Sequence, residues 1–359
     1  MRHPRRGGQG YPRVPDVLRT FFDAPVKESS RRRLDAGSMK VMLNWLVIGV
    51  GDITSKRVIP AILAEPRSHL YGIVTRDPGK RRYLAENVWS DLTAALADPA
   101  IDVVYVGTPV FLHAGQTIAA LRAGKHVLCE KPLGMNYAEA FAMNQAAQQT
   151  GKIFGAAYYR RMYPKIRRAK ELLQAGAIGQ PVLAEANCHG GIHDLAGPRA
   201  WLVDPAKSGG GPLFDIASHR IDVCNFWFGK PVRVTAQLSN AVHTLPVEDN
   251  ATVLIEYARG VRAVVDVRWH SGVFRDQCRI IGTEGEINLT PLSGPELKHP
   301  GGAEHLPTHE NLHSPCIENF ASAVLDGTPL TANGEESIWT DWVTEQAVRA
   351  NAAAGNARV

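Results

Sequence analysis

A strand sequence that runs into a glycine turn constrains the fold of this chain more than any other feature. The apolar run Leu46–Ile48 leads directly into the segment Gly49–Thr54, which reads Gly-Val-Gly-Asp-Ile-Thr. In such a turn the first glycine permits a sharp bend, and the second lets backbone N–H groups at the start of a helix approach a pyrophosphate. Thr54 stands where a third glycine or alanine is usual, and its hydroxyl is expected to cap the helix or contact a phosphate. The segment predicts a dinucleotide-binding unit, although a plain strand-to-helix turn gives the same pattern.

Strand and helix patterns alternate from residue 43 to about residue 157. This alternation predicts right-handed crossovers and a doubly wound parallel sheet of the Rossmann type in an α/β protein. After Tyr163 the pattern changes to short strands linked by turns, which predicts an α+β domain with a large, mostly antiparallel sheet. One face of that sheet is expected to be covered by helices and the other to pack on a second subunit, in a homodimer or homotetramer. The predicted divisions are a disordered basic tail at 1–40, a dinucleotide-binding domain at 41–160, a substrate and oligomerisation domain at 161–332 and a C-terminal helix at 333–359.

Charge and composition narrow the classes of function. The net charge of +5 arises in residues 1–40, where ten Lys and Arg outnumber four Asp and Glu, so the rest carries about −1. A nucleic-acid-binding protein is therefore not predicted. The sequence has no run of 18 apolar residues to span a membrane, and Arg5-Arg6 lacks the apolar stretch of an export signal. Five scattered cysteines fit reduced thiols, so the predicted location is the cytoplasm.

The end of the second predicted strand bears on the choice of dinucleotide. An NAD-binding Rossmann domain usually carries Asp or Glu there, whereas Thr75 occupies that position in this chain. Arg76 and Lys80 would attract a 2′-phosphate, which favours NADP over NAD. Asp77 supports the opposite choice if the strand ends a residue or two later than predicted.

Two further segments bring catalytic residue types to the same edge of the sheet. Lys131 follows a parallel strand in the sequence Glu130-Lys131-Pro132, where its ammonium group is suited to holding a substrate oxygen. A run of glycines, predicted as a flexible loop, leads into a helix that places Asp215 and His219 one turn apart. Histidine, with an unperturbed pKa near 6.5, is suited to exchanging a proton with an alcohol. The alternative is a salt-bridged lysine, a capping aspartate and a surface histidine.

These elements together resemble the Gfo/Idh/MocA oxidoreductases over roughly residues 43–355. The resemblance implies hydride transfer between nicotinamide and a carbinol or carbonyl carbon of a sugar, cyclitol or related polyol. It also implies Lys131, Asp215 and His219 as the catalytic residues, Trp201 near the nicotinamide, and no metal. The segments that carry it are the glycine turn, Thr108-Pro109 with His113, residues 123–132, Gly176 with Gly179, Trp201, the stretch from Gly209 to His219, and residues 320–327. The predicted cofactor-binding residues are Gly49, Gly51, Asp52, Ile53, Thr54, Thr75, Arg76, Lys80, Thr108, Pro109, His113, Glu130, Lys131, Arg161 and Trp201.

Two departures from the family pattern limit what the resemblance says about substrate. Val110 stands where asparagine is frequent, and Leu202 stands where arginine often follows the tryptophan. Two other functions remain open at this stage: an NAD-dependent glycosidase of the same fold, and a non-catalytic dinucleotide-binding regulator.

Several basic and histidine side chains have no settled role in the sequence. Arg160 and Arg161 are expected at the junction of the two domains, as ligand-binding or structural residues. His189 and His193 are candidates for lining the substrate pocket. The spacing of His305, His309, His313 and Cys316 imitates a zinc site, but the Pro and Gly residues of 300–307 predict a loop instead.

Overall fold

The computed structural model describes residues 42–77, 85–191 and 197–355, and within them six parallel strands form the first sheet. Their spatial order is β3-β2-β1-β4-β5-β6, the order of a doubly wound dinucleotide-binding sheet. The predicted Rossmann sheet is thus confirmed. The strands are β1 (Leu43–Ile48), β2 (Ser68–Val74), β3 (Asn87–Trp89), β4 (Val103–Val106), β5 (His126–Cys129) and β6 (Phe154–Ala156).

Helices cover both faces of this sheet, which explains its nearly continuous apolar strands. Leu46 and Ile48 of β1 lie in one buried cluster, whereas Trp45 and Val47 lie in the cluster on the opposite face. The order of strands reverses between β1 and β4, so the turn after β1 opens into the crevice where such sheets bind ligands. The helices are α1 (a π-helical turn Thr54–Val58 continued by Ile59–Ala64), α2 (Leu92–Leu96), α3 (His113–Arg122) and α4 (Tyr137–Thr150).

Eight strands form the second sheet, in the order β14-β13-β12-β11-β7-β10-β9-β8. Neighbouring strands are antiparallel except for the parallel pair β7 and β10, as the sequence predicts. The strands are β7 (Pro181–Gly191), β8 (Pro231–Ser239), β9 (Asn250–Tyr257), β10 (Arg262–Arg268), β11 (His270–Gly282), β12 (Glu286–Asn288), β13 (Glu296–His299) and β14 (Gly302–His305).

Part of the segment predicted as a loop at 300–307 is a β-hairpin, and that prediction was wrong. β13 and β14 pair in antiparallel fashion on either side of Pro300-Gly301. Their side chains are mostly polar and exposed, so the sequence lacks the apolar alternation by which a strand is recognised.

Three helices share a buried cluster with one face of the second sheet: α5 (Pro164–Gln174), α7 (Ser218–Phe228) and α9 (Gly334–Ala353). The last of these also reaches the first sheet, because Ile338 lies in a buried cluster with strands β1, β4 and β5. The predicted domain limits remain predictions, and the tail at 1–40 lies outside the described residues. Two shorter elements complete the fold, α6 (Pro205–Ser208) and α8 (Ser314–Asp326).

No helix in the described part of the chain is both long enough and apolar enough to cross a membrane.

Candidate functional site

The glycine turn after β1 has the shape that a dinucleotide requires. Gly49 has a φ of +83°, and a Cβ atom there would lie 2.7 Å from Thr108 Cγ2 and 2.8 Å from the Gly107 carbonyl. Only glycine therefore fits this position. A Cβ added to Gly51 would meet no atom within 4 Å, so the space above the second glycine is open. The bend and the open cradle fit a pyrophosphate laid against the turn.

The Thr54 side chain makes two hydrogen bonds within the glycine turn. Its hydroxyl donates to the Gly49 carbonyl at 2.9 Å and accepts from the Gly51 N–H at 2.7 Å. The side chain is 1% exposed, so of the two roles predicted for it the structure supports the capping one and not a phosphate contact. Asp52 and Ile53 are exposed at the head of the helix, and Asp52 pairs with Lys56 at 2.6 Å.

The residues predicted to recognise the ribose follow β2 at the same edge. Thr75 is half-buried, and its hydroxyl lies 3.4 Å from the Asp77 N–H. Arg76 and Asp77 are both exposed. Lys80 lies outside the described residues. Both the arginine favoured for NADP and the competing aspartate are thus placed beside the crevice.

His113 has a different role from the one predicted. Its ring is 1% exposed and lies 2.7 Å from the Thr108 carbonyl and 3.0 Å from the Pro132 carbonyl. Burial lowers its pKa. The ring therefore links the loop after β4 to the loop that carries Lys131. His113 is a structural residue and not the cofactor ligand that was predicted. Thr108 itself donates from its hydroxyl to Gln116 at 2.7 Å, and Pro109 caps the 3₁₀ turn Val110–Leu112.

Arg161 is also a structural residue, in contrast to its predicted role. Its guanidinium is fully buried and donates to both carboxylate oxygens of Asp222, at 2.7–3.0 Å. It donates further to the Thr331 carbonyl at 3.1 Å and to Glu336 at 3.0 Å. These partners occupy the fork of the guanidinium in the protein interior, so no face of it is available to a cofactor.

Lys131 and Asp215 come together across 84 residues of sequence. The lysine ammonium donates to the Asp215 backbone carbonyl at 2.8 Å and lies 3.4 Å from the Asp215 carboxylate. The two side chains are 15% and 30% exposed, so both are accessible from the crevice. Lys131 follows β5, and Asp215 lies in the π-helical turn Leu213–Ala217 before α7.

His219 lies one turn further along the same helix and is 7% exposed. Among the described residues, its buried Nδ1 atom has no hydrogen-bond partner. The ring meets Tyr159 edge-on, with 4.9 Å between centroids. Burial lowers the pKa of His219 well below its usual value, and the positive charges of Lys131, Arg160 and Arg220 add to this effect. The ring is therefore a neutral base, and the unperturbed value assumed from the sequence is corrected downwards.

The glycine run before Asp215 is packed and is not an exposed loop. Gly209, Gly210 and Gly211 are all buried. Cβ atoms at the first two would lie 2.7 and 2.6 Å from the ring of Phe214, and one at Gly211 would lie 2.0 Å from the Glu248 carbonyl oxygen. The run is thus explained by close packing, not by the flexibility predicted from the sequence.

Glu248 is a residue that sequence reasoning missed. One of its carboxylate oxygens accepts from the Gly211 N–H at 2.9 Å and from the Leu213 N–H at 3.2 Å. These contacts cap the helical turn that presents Asp215. A single acidic residue 33 positions later, in a loop before β9, carries no local signal of that role.

Glu130 completes the buried side of the site. Its carboxylate accepts from the Tyr105 hydroxyl at 2.6 Å, from His313 Nε2 at 3.2 Å and from the Lys131 N–H at 3.2 Å. Burial alone would raise its pKa, but the contacts with His313, Tyr105 and Lys131 prevail and lower the pKa to about 2. Glu130 is therefore an anion whose hydrogen bonds are made within the protein, next to Lys131.

His189 and Trp201 are the remaining candidates within the described residues. His189 is paired with Asp266 at 2.6 Å on the face of β7 opposite to Ala184 and Ala186, and its place in the substrate pocket stays a prediction. His193 lies outside the described residues. Trp201 is half-buried in the 3₁₀ segment Gly197–Val203.

The histidines with metal-like spacing do not meet. His305 is exposed and pairs with Glu296 on the surface hairpin, whereas His313 is buried against Glu130. Within the described ranges no three His, Cys, Asp or Glu side chains are grouped as a metal ion would require.

Known proteins resemble this chain in sequence and in fold. Residues 43–158 match a family model described as an oxidoreductase family with an NAD-binding Rossmann fold, and residues 166–288 match the GFO/IDH/MocA C-terminal domain. The 1,5-anhydro-D-fructose reductase of Ensifer adhaerens is 29% identical, over 88% of this chain and 98% of that protein. The NADP(+)-linked D-xylose 1-dehydrogenase of Haloarcula marismortui is 26% identical, over 82% of this chain and 87% of that protein. A solved structure of levoglucosan dehydrogenase with NADH superposes with a TM-score of 0.79 at 25% identity, over 87% of this chain and 97% of that one.

Proposed function

This chain belongs to the Gfo/Idh/MocA oxidoreductase family, and on that premise we propose that it transfers a hydride between nicotinamide and a carbinol or carbonyl carbon of a sugar, cyclitol or related polyol. The observation that carries the proposal is the contact between Lys131 and Asp215 at the carboxyl edge of a dinucleotide-binding sheet, with His219 one turn further along the helix of Asp215. The similar proteins named above reduce or oxidise sugars, which supports the same class of substrate here.

Lys131, His219 and Asp215 have different roles in alcohol oxidation. The bound nicotinamide supplies the hydride acceptor. Lys131, an accessible ammonium group, holds the reacting oxygen and stabilises the negative charge that develops on it. His219, a neutral ring with an unpartnered Nδ1, accepts the hydroxyl proton. Asp215 lies beside Lys131 and orients either the ammonium group or a neighbouring substrate hydroxyl. In carbonyl reduction the same groups act in reverse.

We propose NADP as the preferred dinucleotide and NAD as the weaker one. Arg76 is exposed directly after β2, where a guanidinium is suited to pairing with a 2′-phosphate. Thr75 brings no charge that would repel this phosphate. The similar proteins are divided on this point, since one is NADP(+)-linked and another binds NADH. Asp52, Ile53, Thr108, Pro109 and Trp201 remain proposed cofactor contacts.

A second copy of the chain is the proposed partner of the uncovered face of the second sheet. Half-buried Leu183, Leu254 and Val264 lie on that face among charged side chains. Helices cover the opposite face, so this one supports a homodimer or homotetramer. Light scattering on the eluted protein measures the state directly, and a monomer at micromolar concentration would contradict the proposal.

We also propose that the protein acts in the cytoplasm and divides near residue 160 into a dinucleotide domain and a substrate domain. All five cysteines are free thiols, which supports a reducing compartment.

A substrate screen tests the proposed activity. The purified protein is incubated with NADP or NAD and a panel of polyols, cyclitols and aldoses, and with the reduced dinucleotides and keto-sugars, while absorbance of the reduced nicotinamide is followed. We expect turnover with at least one sugar or cyclitol and none in Lys131→Ala. Binding of a dinucleotide without any turnover would favour a regulator. Release of a phenol from an aryl glycoside without net reduction would favour the glycosidase.

A further inference from the structure

A buried histidine from the C-terminal part of the chain contacts the residue next to the catalytic lysine. His313 is 1% exposed, and its Nε2 lies 3.2 Å from Glu130, which is 183 positions earlier in the sequence. Because the anionic carboxylate only accepts hydrogen bonds, Nε2 must carry the proton and donate it. The Tyr105 hydroxyl donates to the same carboxylate oxygen at 2.6 Å. The other carboxylate oxygen accepts the N–H of Lys131 at 3.2 Å.

His313 is itself held by contacts that lead to the dinucleotide turn. The backbone N–H of His313 donates to the Asn311 side-chain oxygen at 3.0 Å, and the Asn311 side-chain amide donates to the Arg57 carbonyl at 2.7 Å. Arg57 belongs to the π-helical turn of α1, directly after the glycine turn. The segment 311–313 thus connects the helix behind the pyrophosphate cradle with the carboxylate behind the lysine.

The rings of His313 and His219 pack against the same tyrosine. Tyr159 packs against His313 with 5.0 Å between centroids and against His219 with 4.9 Å. One aromatic ring therefore contacts both histidines.

We propose that His313 is a positioning residue, which fixes the Glu130 carboxylate and through it the backbone from which Lys131 reaches the substrate oxygen. This inference rests on the proposed function, in that Lys131 is taken as the group that holds the reacting oxygen. The carboxylate needs its buried donors, because a buried anion that loses one is left partly unsatisfied and moves towards water. Displacing the Glu130-Lys131 peptide by even 1 Å is enough to lower turnover by one to two orders of magnitude.

Matched variants separate positioning from general support. His313→Leu removes the donor, His313→Gln keeps an amide donor at similar reach, and His305→Leu is the control at an exposed histidine. We expect His313→Leu to lower kcat by about tenfold or more, with the dissociation constant for the dinucleotide changed less than threefold. His313→Gln should recover most of the loss, and His305→Leu should match the unaltered protein.

A double-mutant cycle with Glu130→Ala tests whether His313 acts through this carboxylate. If it does, adding His313→Leu to Glu130→Ala should lower kcat no further. Losses that multiply, or a kcat of His313→Leu within twofold of the unaltered protein, would overturn the inference. Should His313→Leu not fold, Tyr105→Phe removes the other donor and takes its place in the cycle.

Chemical labelling supplies a readout that does not need turnover. Trinitrobenzenesulfonate is applied at fixed pH, and modification of Lys131 and of the exposed control Lys56 is followed by mass spectrometry of peptides. We expect Lys131 to react at least threefold faster in His313→Leu and at the unaltered rate in His313→Gln, with Lys56 unchanged throughout. If no sugar turns over, the proposed function fails while labelling still decides this inference. An unchanged rate at Lys131 would overturn it.

Discussion

Replacing Gly211 with alanine places one methyl group where the packing behind the catalytic turn leaves no room. The added Cβ would lie 2.0 Å from the Glu248 carbonyl oxygen and 3.3 Å from the Trp269 ring. Ordinary contact begins near 3.4 Å, so backbone must move by more than 1 Å to accommodate the side chain. That movement separates the Gly211 N–H from the Glu248 carboxylate, which it meets at 2.9 Å.

The expected cost follows from these two effects. Overpacking of a core costs about 1–3 kcal/mol, and loss of a hydrogen bond to a charged group adds about 1.5–3 kcal/mol. The free energy of unfolding should therefore fall by roughly 2.5–6 kcal/mol, which lowers Tm by about 5 °C or more. Because the displaced turn carries Asp215, kcat should fall as well, while dinucleotide binding at the distant glycine turn should persist.

Gly115→Ala is the matched control. Gly115 lies exposed in α3, and an added Cβ there meets no atom within 4 Å. The same substitution should therefore raise stability by about 0.5–1 kcal/mol through helix propensity. Differential scanning calorimetry and fluorescence titration with the dinucleotide measure both variants. If Gly211→Ala keeps the Tm and kcat of the unaltered protein, steric packing does not explain the glycine run.

Four further outcomes are expected. His219→Ala should lower kcat by roughly 10²–10⁴-fold and Lys131→Ala by at least as much, with the dinucleotide still bound. The ionisation that the histidine variant loses from the pH–rate profile should lie below 6.5. Normal turnover in both variants would assign the cluster a structural role. Arg76→Ala should weaken binding of NADP far more than of NAD by titration, and equal losses would make Asp77 the deciding residue. Burial raises the pKa of Asp249, but three backbone N–H groups and the Asn250 amide prevail and lower it to about 2. Asp249→Asn should therefore cost about 2 kcal/mol in urea unfolding at neutral pH, and the difference should disappear as the pH falls from about 4 to 2. A constant cost would refute the linkage. A chain that begins at Met42 should keep its Tm and dinucleotide affinity, and a large loss in either would show that residues 1–40 pack on the body.

The sequence predicts the first sheet well because its strands are buried on both faces. β1 ends at Ile48 where the glycine turn begins, and Lys131 follows the carboxyl end of β5, both as predicted. The meeting of Lys131 with Asp215 follows from motif order, because one residue ends a parallel strand and the other begins a helix beside it.

Burial and long-range pairing are what the sequence does not convey. Arg161 lies where the junction of the two domains was predicted, but its partner Asp222 is 61 positions away and nothing local shows that the guanidinium points inwards. The sequence also does not show which face of β7 carries His189, because a one-residue step along a strand moves a side chain to the opposite face. Glu248 and His313 were missed for the same physical reason: each acts on a group brought near it only by the complete fold.

The last part of the chain completes the first sheet, and this has a consequence for synthesis on the ribosome. Residues 332 and 333 bond to the edge strand β6, through the Ala156 N–H to the Ala332 carbonyl at 2.9 Å and a bridge between Gly155 and Asn333. Ala332 and Ile338 then fill the buried cluster beside it. The Rossmann half therefore emerges from the ribosome about 170 residues before its own edge strand is covered. During that interval the nascent chain exposes an unpaired strand and an apolar surface, so the order of synthesis makes this half dependent on chaperones until the final helix arrives.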